Sequence, residues 1–123
     1  MNTNTVNIQV LALLGDAIFS LYIREELIKK GLNNINEIQN KQVEYVSAKG
    51  QVKILNNLID NNILTEEELD VIKRGRNNKK DSHPKNTDII TYKLSTGFEA
   101  LLGVLYLDNK DRMQEILNKI EVE

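Results

Sequence analysis

Residues 11–23 read LALLGDAIFSLYI, and at 3.6 residues per turn this stretch is apolar on two sides of a helix. Leu11, Leu14, Ile18 and Leu21 fall on one face, and Ala12, Phe19 and Ile23 on another. Such a helix has to be covered from two directions, which predicts a central place in a helical domain. A chain of 123 residues can build one core but has limited means of covering this helix alone, so a second copy of the chain is expected against it.

The remaining helices follow the same period. The first is expected over residues 10–30, ending at Gly31 after the basic pair Lys29 and Lys30. A second is predicted over 36–60, from the recurrence of Ala48, Val52, Leu55 and Ile59, with Asn61 and Asn62 closing it. Thr65-Glu66-Glu67-Glu68 has the form of a capping box and opens a third helix through Ile72. The apolar pattern stops over residues 75–88, where Pro84 and a polar run predict a loop. It resumes from Ile89 through Leu105, and Met113, Ile116, Leu117 and Ile120 form a last amphipathic helix. With no alternating strand pattern, the prediction is an all-α fold of about five main helices in a single domain, residues 1–123, with residues 1–7 a flexible lead-in.

Composition removes several chemistries. There is no cysteine and His83 is the only histidine, which excludes a disulfide framework, a thiol nucleophile and a Cys/His zinc site. Any metal must be held by carboxylates. MNTNTVNIQV lacks the basic start and apolar run of a signal peptide, and no stretch is long enough to span a membrane, so a cytoplasmic protein is expected.

Two acids stand out. Asp16 and Glu99 (in FEALLGVLYL) are each the only acid in a strongly apolar stretch that is expected to face a core. Burying an unpaired carboxylate costs on the order of several kcal/mol unless a cation, a proton or a hydrogen-bond donor compensates. Each has a simpler reading: Asp16 after Gly15 could cap a helix, and Thr96-Gly97-Phe98-Glu99 has the form of a capping box. However, the apolar pattern continues on both sides of both acids, and Asp16 has no Glu or Gln three residues on. Two mid-helix carboxylates converging on a divalent cation is the better joint account.

The formal net charge of −2 hides an uneven distribution. Lys73 to Lys85 carries six basic residues against one acid, a local +5 that leaves −7 for the rest. A solvated loop would account for such a run, as would a site for a polyanion.

LLGDA, followed some eighty residues later by FEALLG, resembles the signature helices of the ribonuclease III family. Arg74-Gly75-Arg76-Asn77, Pro84-Lys85-Asn86-Thr87-Asp88, Thr91-Tyr92 and Ser95-Thr96 are similar to the Mini-III branch, which lacks a separate double-stranded-RNA-binding domain. The wider family carries two further acids, at the positions of Ala12 and Thr96 here, a reduction the Mini-III branch shares.

The resemblance implies an endoribonuclease in which Asp16 and Glu99 are the catalytic residues and hold Mg²⁺, with Mn²⁺ able to substitute. It also implies 5′-phosphate and 3′-hydroxyl products, a homodimer, and double-stranded RNA as substrate, a ribosomal RNA precursor in particular, with a ribosomal protein as a possible helper. The expected RNA contacts are Arg74, Arg76, Lys79, Lys80 and Lys85 to phosphates, Asn77 to a ribose hydroxyl, and Lys49 as a further contact. His83 is read as a loop residue. Two other readings stay open on the residues alone: a catalytically silent, ribonuclease III-like scaffold binding structured RNA, and a helical protein-interaction module.

Overall fold

In a computed structural model, the structure describes residues 1–78 and 88–123, which form six α-helices and one short 3-10 turn. The helices are α1 (Ile8–Lys29), α2 (Ile35–Val46), α3 (Ala48–Asp60), α4 (Glu66–Arg76), α5 (Ile89–Asp108) and α6 (Lys110–Asn118).

Local signals set most of the boundaries. At the end of α1, Gly31 takes φ 100°, while Leu32 N–H donates to Leu27 O at 3.2 Å and Gly31 N–H to Ile28 O at 3.0 Å. This is the Schellman arrangement, and its left-handed residue is the reason for the glycine. Asn62, with φ 55°, closes α3 in the same way. The Thr65 capping box is complete: Glu68 N–H donates to Thr65 Oγ1, and Thr65 N–H to Glu68 Oε1.

The predicted helix over 36–60 is two helices. Ser47 adopts extended geometry and accepts from Gly50 N–H at 3.1 Å, capping α3 at the point where α2 ends. A side chain at Gly50 would place its Cβ 2.2 Å from Glu44 O, so the corner is tight. The stripe that α3 buries is also rotated from the predicted one: Gln51, Leu55 and Leu58 are buried and Ile59 is exposed. In turn, α4 continues a turn beyond Ile72, which puts Arg74 on the helix and Arg76 there too rather than in the loop expected from residue 75. Residues 1–7 are not a loose lead-in. Thr3–Thr5 form the 3-10 turn, and buried Thr3 donates through Oγ1 to Asp108 Oδ2 at 2.7 Å.

The central helix is α5, not α1. It packs against α1, α3, α4 and α6, and buries an almost unbroken run from Gly97 to Leu105. By contrast, α1 buries one face (Leu11, Phe19, Ile23, Leu27) and leaves Val10, Leu13, Leu21 and Ile28 exposed, because no other described helix covers its second side. Phe19 and Phe98 meet edge to face, with ring centroids 5.3 Å apart, where α1 crosses α5.

What sets the spacing of α1 and α5 is the absence of side chains. A Cβ on Gly15 would lie 1.7 Å from Glu99 O, and one on Gly103 would lie 2.0 Å from Leu11 O. The two backbones therefore touch directly. Gly15→Ala should force them apart and destabilise the fold by roughly 3 kcal/mol, the upper range for overpacking, because a rigid backbone is the obstacle. Urea unfolding checks this, and an unchanged midpoint would show that the helices can separate at no cost.

Candidate active site

Gly15 precedes Asp16, and the carbonyl it packs on belongs to Glu99, so the contact that brings the helices together also brings the two acids together. Neither acid caps a helix. Asp16 lies within α1 and Glu99 within α5, while α5 is capped by Asp88, which accepts from Thr91 N–H at 2.9 Å. The carboxyl groups are within hydrogen-bonding reach of each other. Only Glu99 bears out the expected burial, and only in part, since it is half-buried; Asp16 is exposed, on the wall of the cleft it shares with Glu99.

Burial is the largest cause pushing the Glu99 carboxyl up, to about 8, and the neighbouring Asp16 adds to it by hydrogen bond and charge. Gln51 opposes the shift by donating from Nε2 to Glu99 Oε2 at 3.2 Å. Raised in this way, the Glu99 carboxyl keeps its proton at neutral pH. A divalent cation can take the place of that proton, and an all-oxygen donor set suits a hard ion. The residues therefore fit a divalent metal, with Asp16 and Glu99 to hold it. Among the described residues, no group of three or more His, Cys, Asp or Glu side chains is placed to hold an ion.

Both acids line one cleft of about 560 Å³. Its wall includes Ala12 and Thr96, where the wider family has acids, and also Asn7, Tyr92 and Lys93. Alongside lies an open depression of about 690 Å³, lined by Lys73, Arg74, Asn77 and Asp70 and sharing Asn7, Gln9 and Asn78 with the cleft. The basic end of α4 thus leads towards the acids. Arg74 donates to Asn4 Oδ1 at 3.5 Å, and Arg76 to Asn77 Oδ1 at 3.2 Å. Arg76 and Lys49 are exposed but line neither depression. Lys79, Lys80, His83 and Lys85 lie outside the described residues.

Two members of the site were not found from sequence. Lys93 is an unremarkable helix lysine until α5 is set against α1. Gln51 had a signal, a polar residue spaced four and seven before Leu55 and Leu58, but the predicted stripe ran one position away from it.

The Ribonuclease III domain family matches residues 9–110. The Mini-ribonuclease 3 of Brevibacillus brevis is 49% identical over 117 residues, 94% of this chain and 86% of that one. The Mini-ribonuclease 3 of Streptococcus pneumoniae is 39% identical over 119 residues, 96% of this chain and 93% of that one. Among solved structures, protein FN1578 from Fusobacterium nucleatum superposes with a TM-score of 0.80 at 33% identity, covering 94% of this chain and 91% of that one.

The chain belongs to the ribonuclease III family, and within it to the Mini-ribonuclease 3 branch. It is an endoribonuclease, from a family that acts on double-stranded RNA and generally uses divalent metal ions. Among the described residues, no helix is long and apolar enough to cross a membrane.

The raised Glu99 gives a pH signature in the metal-free protein. The unfolded carboxyl titrates near ~4.3, so between there and about 8 the folded state holds the extra proton. Its contribution to stability is therefore full below the unfolded value and is lost as pH rises through the folded one. In EDTA, urea unfolding should show stability falling from pH 5.5 to 8.5, and Glu99→Gln should flatten that fall. Parallel profiles for the two proteins would remove Glu99 as its source.

Proposed function

We propose that this endoribonuclease is Mg²⁺-dependent, with Mn²⁺ able to substitute, and that it hydrolyses double-stranded RNA to 5′-phosphate and 3′-hydroxyl ends. The observation that carries the reading is the contact between Asp16 and Glu99 at the head of a cleft that opens towards the basic end of α4. Asp16 and Glu99 would hold the ion. When bound, a divalent cation of this kind acidifies water and offsets the charge that grows on the phosphodiester. The protein's own part is to bring the two carboxylates together, to orient Glu99 through Gln51, and to seat the duplex.

A-form RNA presents phosphates and 2′-hydroxyls across a shallow minor groove, so charge and shape are enough to seat it. Arg74 and Arg76 are assigned to phosphates and Asn77 to a ribose hydroxyl; Lys49, Lys79, Lys80 and Lys85 are further phosphate contacts. Family membership supports a ribosomal RNA precursor as the natural substrate and the cytoplasm as the place of action.

Two parts of the site act differently, and one set of measurements separates them. Asp16→Asn and Glu99→Gln should each reduce cleavage of a long duplex in Mg²⁺ by at least a thousandfold while duplex binding and helical content stay near wild type. Arg74→Ala with Arg76→Ala should instead weaken binding across duplex sequences alike and flatten its salt dependence by roughly one unit per lost phosphate contact. Near-normal cutting by either acid variant, or an unchanged salt slope in the arginine variant, would refute that half of the assignment.

The active form is assigned as a homodimer with one site per subunit, each cutting one strand. The support is the exposed stripe on α1, where Leu13 is 71% and Leu21 66% exposed, with Val10 and Leu13 also lining the cleft. Apolar area of this kind beside a site is what an isologous interface covers. Sedimentation of the wild type should give twice 14.1 kDa, and Leu13→Lys with Leu21→Lys should return it to one. A wild-type monomer at micromolar concentration that still cuts both strands would overturn this arrangement.

A further inference from the structure

We propose that Gln51 is a positioning residue for Glu99, its carboxamide holding the carboxylate in the orientation that receives the divalent cation. The inference rests on the reading of Glu99 as a metal ligand and adds to it a residue that contacts neither metal nor RNA.

The case begins with the cost of having a glutamine at this position. Gln51 is 2% exposed and shares the inward stripe of α3 with Leu55 and Leu58, where an apolar side chain of similar length would fill the same space. Its Oε1 is buried without a hydrogen-bond partner, which is unfavourable relative to either a satisfied amide or an apolar group. The gain is found on the nitrogen. Nε2 donates to Val46 O at 3.2 Å and to Glu99 Oε2 at 3.2 Å, so both amide hydrogens are committed.

The two acceptors have different jobs. Val46 is the last residue of α2, so its carbonyl lies among those that a helix C-terminus leaves without an intrahelical partner, and it fixes which way the amide faces. The second hydrogen is then aimed at one oxygen of Glu99 and sets the plane of the carboxylate. Oxygens of metal-binding carboxylates are commonly oriented by such neighbours, whose removal typically weakens metal binding by roughly 10–100-fold.

The split between α2 and α3 at Ser47 belongs to the same device. A continuous helix over these residues would carry the Val46 carbonyl back into the helix ladder, where the residue four places on would satisfy it. The break frees that carbonyl to hold the amide.

The test uses the full chain, stripped with EDTA and dialysed. Mn²⁺ binding is followed by the loss of the free-ion electron paramagnetic resonance signal, and thermal unfolding is recorded on the metal-free samples. Gln51→Met removes the orphan oxygen together with the donor. It should weaken Mn²⁺ binding about tenfold or more while the metal-free Tm stays level or rises, and duplex binding in EDTA should not change. A residue that only braces the α2–α3 corner predicts the reverse, a lower Tm with Mn²⁺ affinity intact, and that result overturns the proposal. Gln51→Leu serves as the second variant should the methionine pack badly. If neither variant folds, the carboxamide is a structural brace and the proposal fails. Glu99→Gln in the same titration separates the two levels of inference: if it binds Mn²⁺ as the wild type does, the reading of Glu99 fails and takes this one with it. If Glu99→Gln loses the ion and Gln51→Met does not, only the role of Gln51 is overturned.

Discussion

The direct contact between the backbones of α1 and α5 is the constraint on which the rest of the site depends. At Gly15 and Gly103 there is no room for even a methyl group, so the helices meet at two points along their length and cannot slide or rotate far without collision. The edge-to-face pair of Phe19 and Phe98 fills the space nearby. Because Asp16 follows Gly15 and the carbonyl beneath Gly15 is that of Glu99, packing and chemistry share the same atoms. Tight packing here fixes where two negative groups must stand.

That arrangement works against the folded state. Two carboxyl groups in contact, one of them half-buried, are less stable ionised together than apart, and the raised pKa of Glu99 is the expression of that conflict. Proteins keep such arrangements where a bound ion relieves them. Gln51, which donates to Glu99, is a neutral donor and not a counter-charge, so it orients the carboxyl without cancelling its charge. A buried arginine in that place would have given a more comfortable protein and a poorer site for a cation.

Much of this could be read from the sequence, for identifiable reasons. The glycine at the end of α1, the capping box of α4 and the placing of both acids inside helices are local properties, decided by side chains within a few residues of one another. What could not be read depends on which helices meet. The break at Ser47 is satisfied by a serine cap and a tight glycine, both of which a continuous helix also tolerates, so pattern alone favoured one long helix. The buried stripe of α3 lies one position from the apolar recurrence because one of its inward positions carries the polar Gln51. The apolar neighbours of Asp16 predict burial, yet it is exposed, because it stands on the wall of an open cleft beside α5 and not beneath it. The swap of central helix from α1 to α5 has the same origin: an apolar pattern shows that a face will be covered, and not by what.

The position of the basic end of α4 depends on groups at its opposite end. Arg112 of α6 donates to both oxygens of Glu68, at 2.8 and 2.9 Å, and to the Ile63 carbonyl at 2.7 Å, while Glu68 also closes the capping box on Thr65. The Arg112 guanidinium beside it holds the Glu68 carboxyl below the usual glutamate range, as expected for a buried pair whose hydrogen bonds are satisfied. With its start clamped, α4 runs as one rigid turn after another to Arg76, and Gly75 and Gly97 let its last turn lie directly on α5 two residues before Glu99. The charged end is therefore held at both ends of the helix, by an ion pair at one and a backbone contact at the other. The extension of α4 past Ile72 thus does more than add a turn: it fixes Lys73 and Arg74 in the depression beside the cleft that holds the two acids.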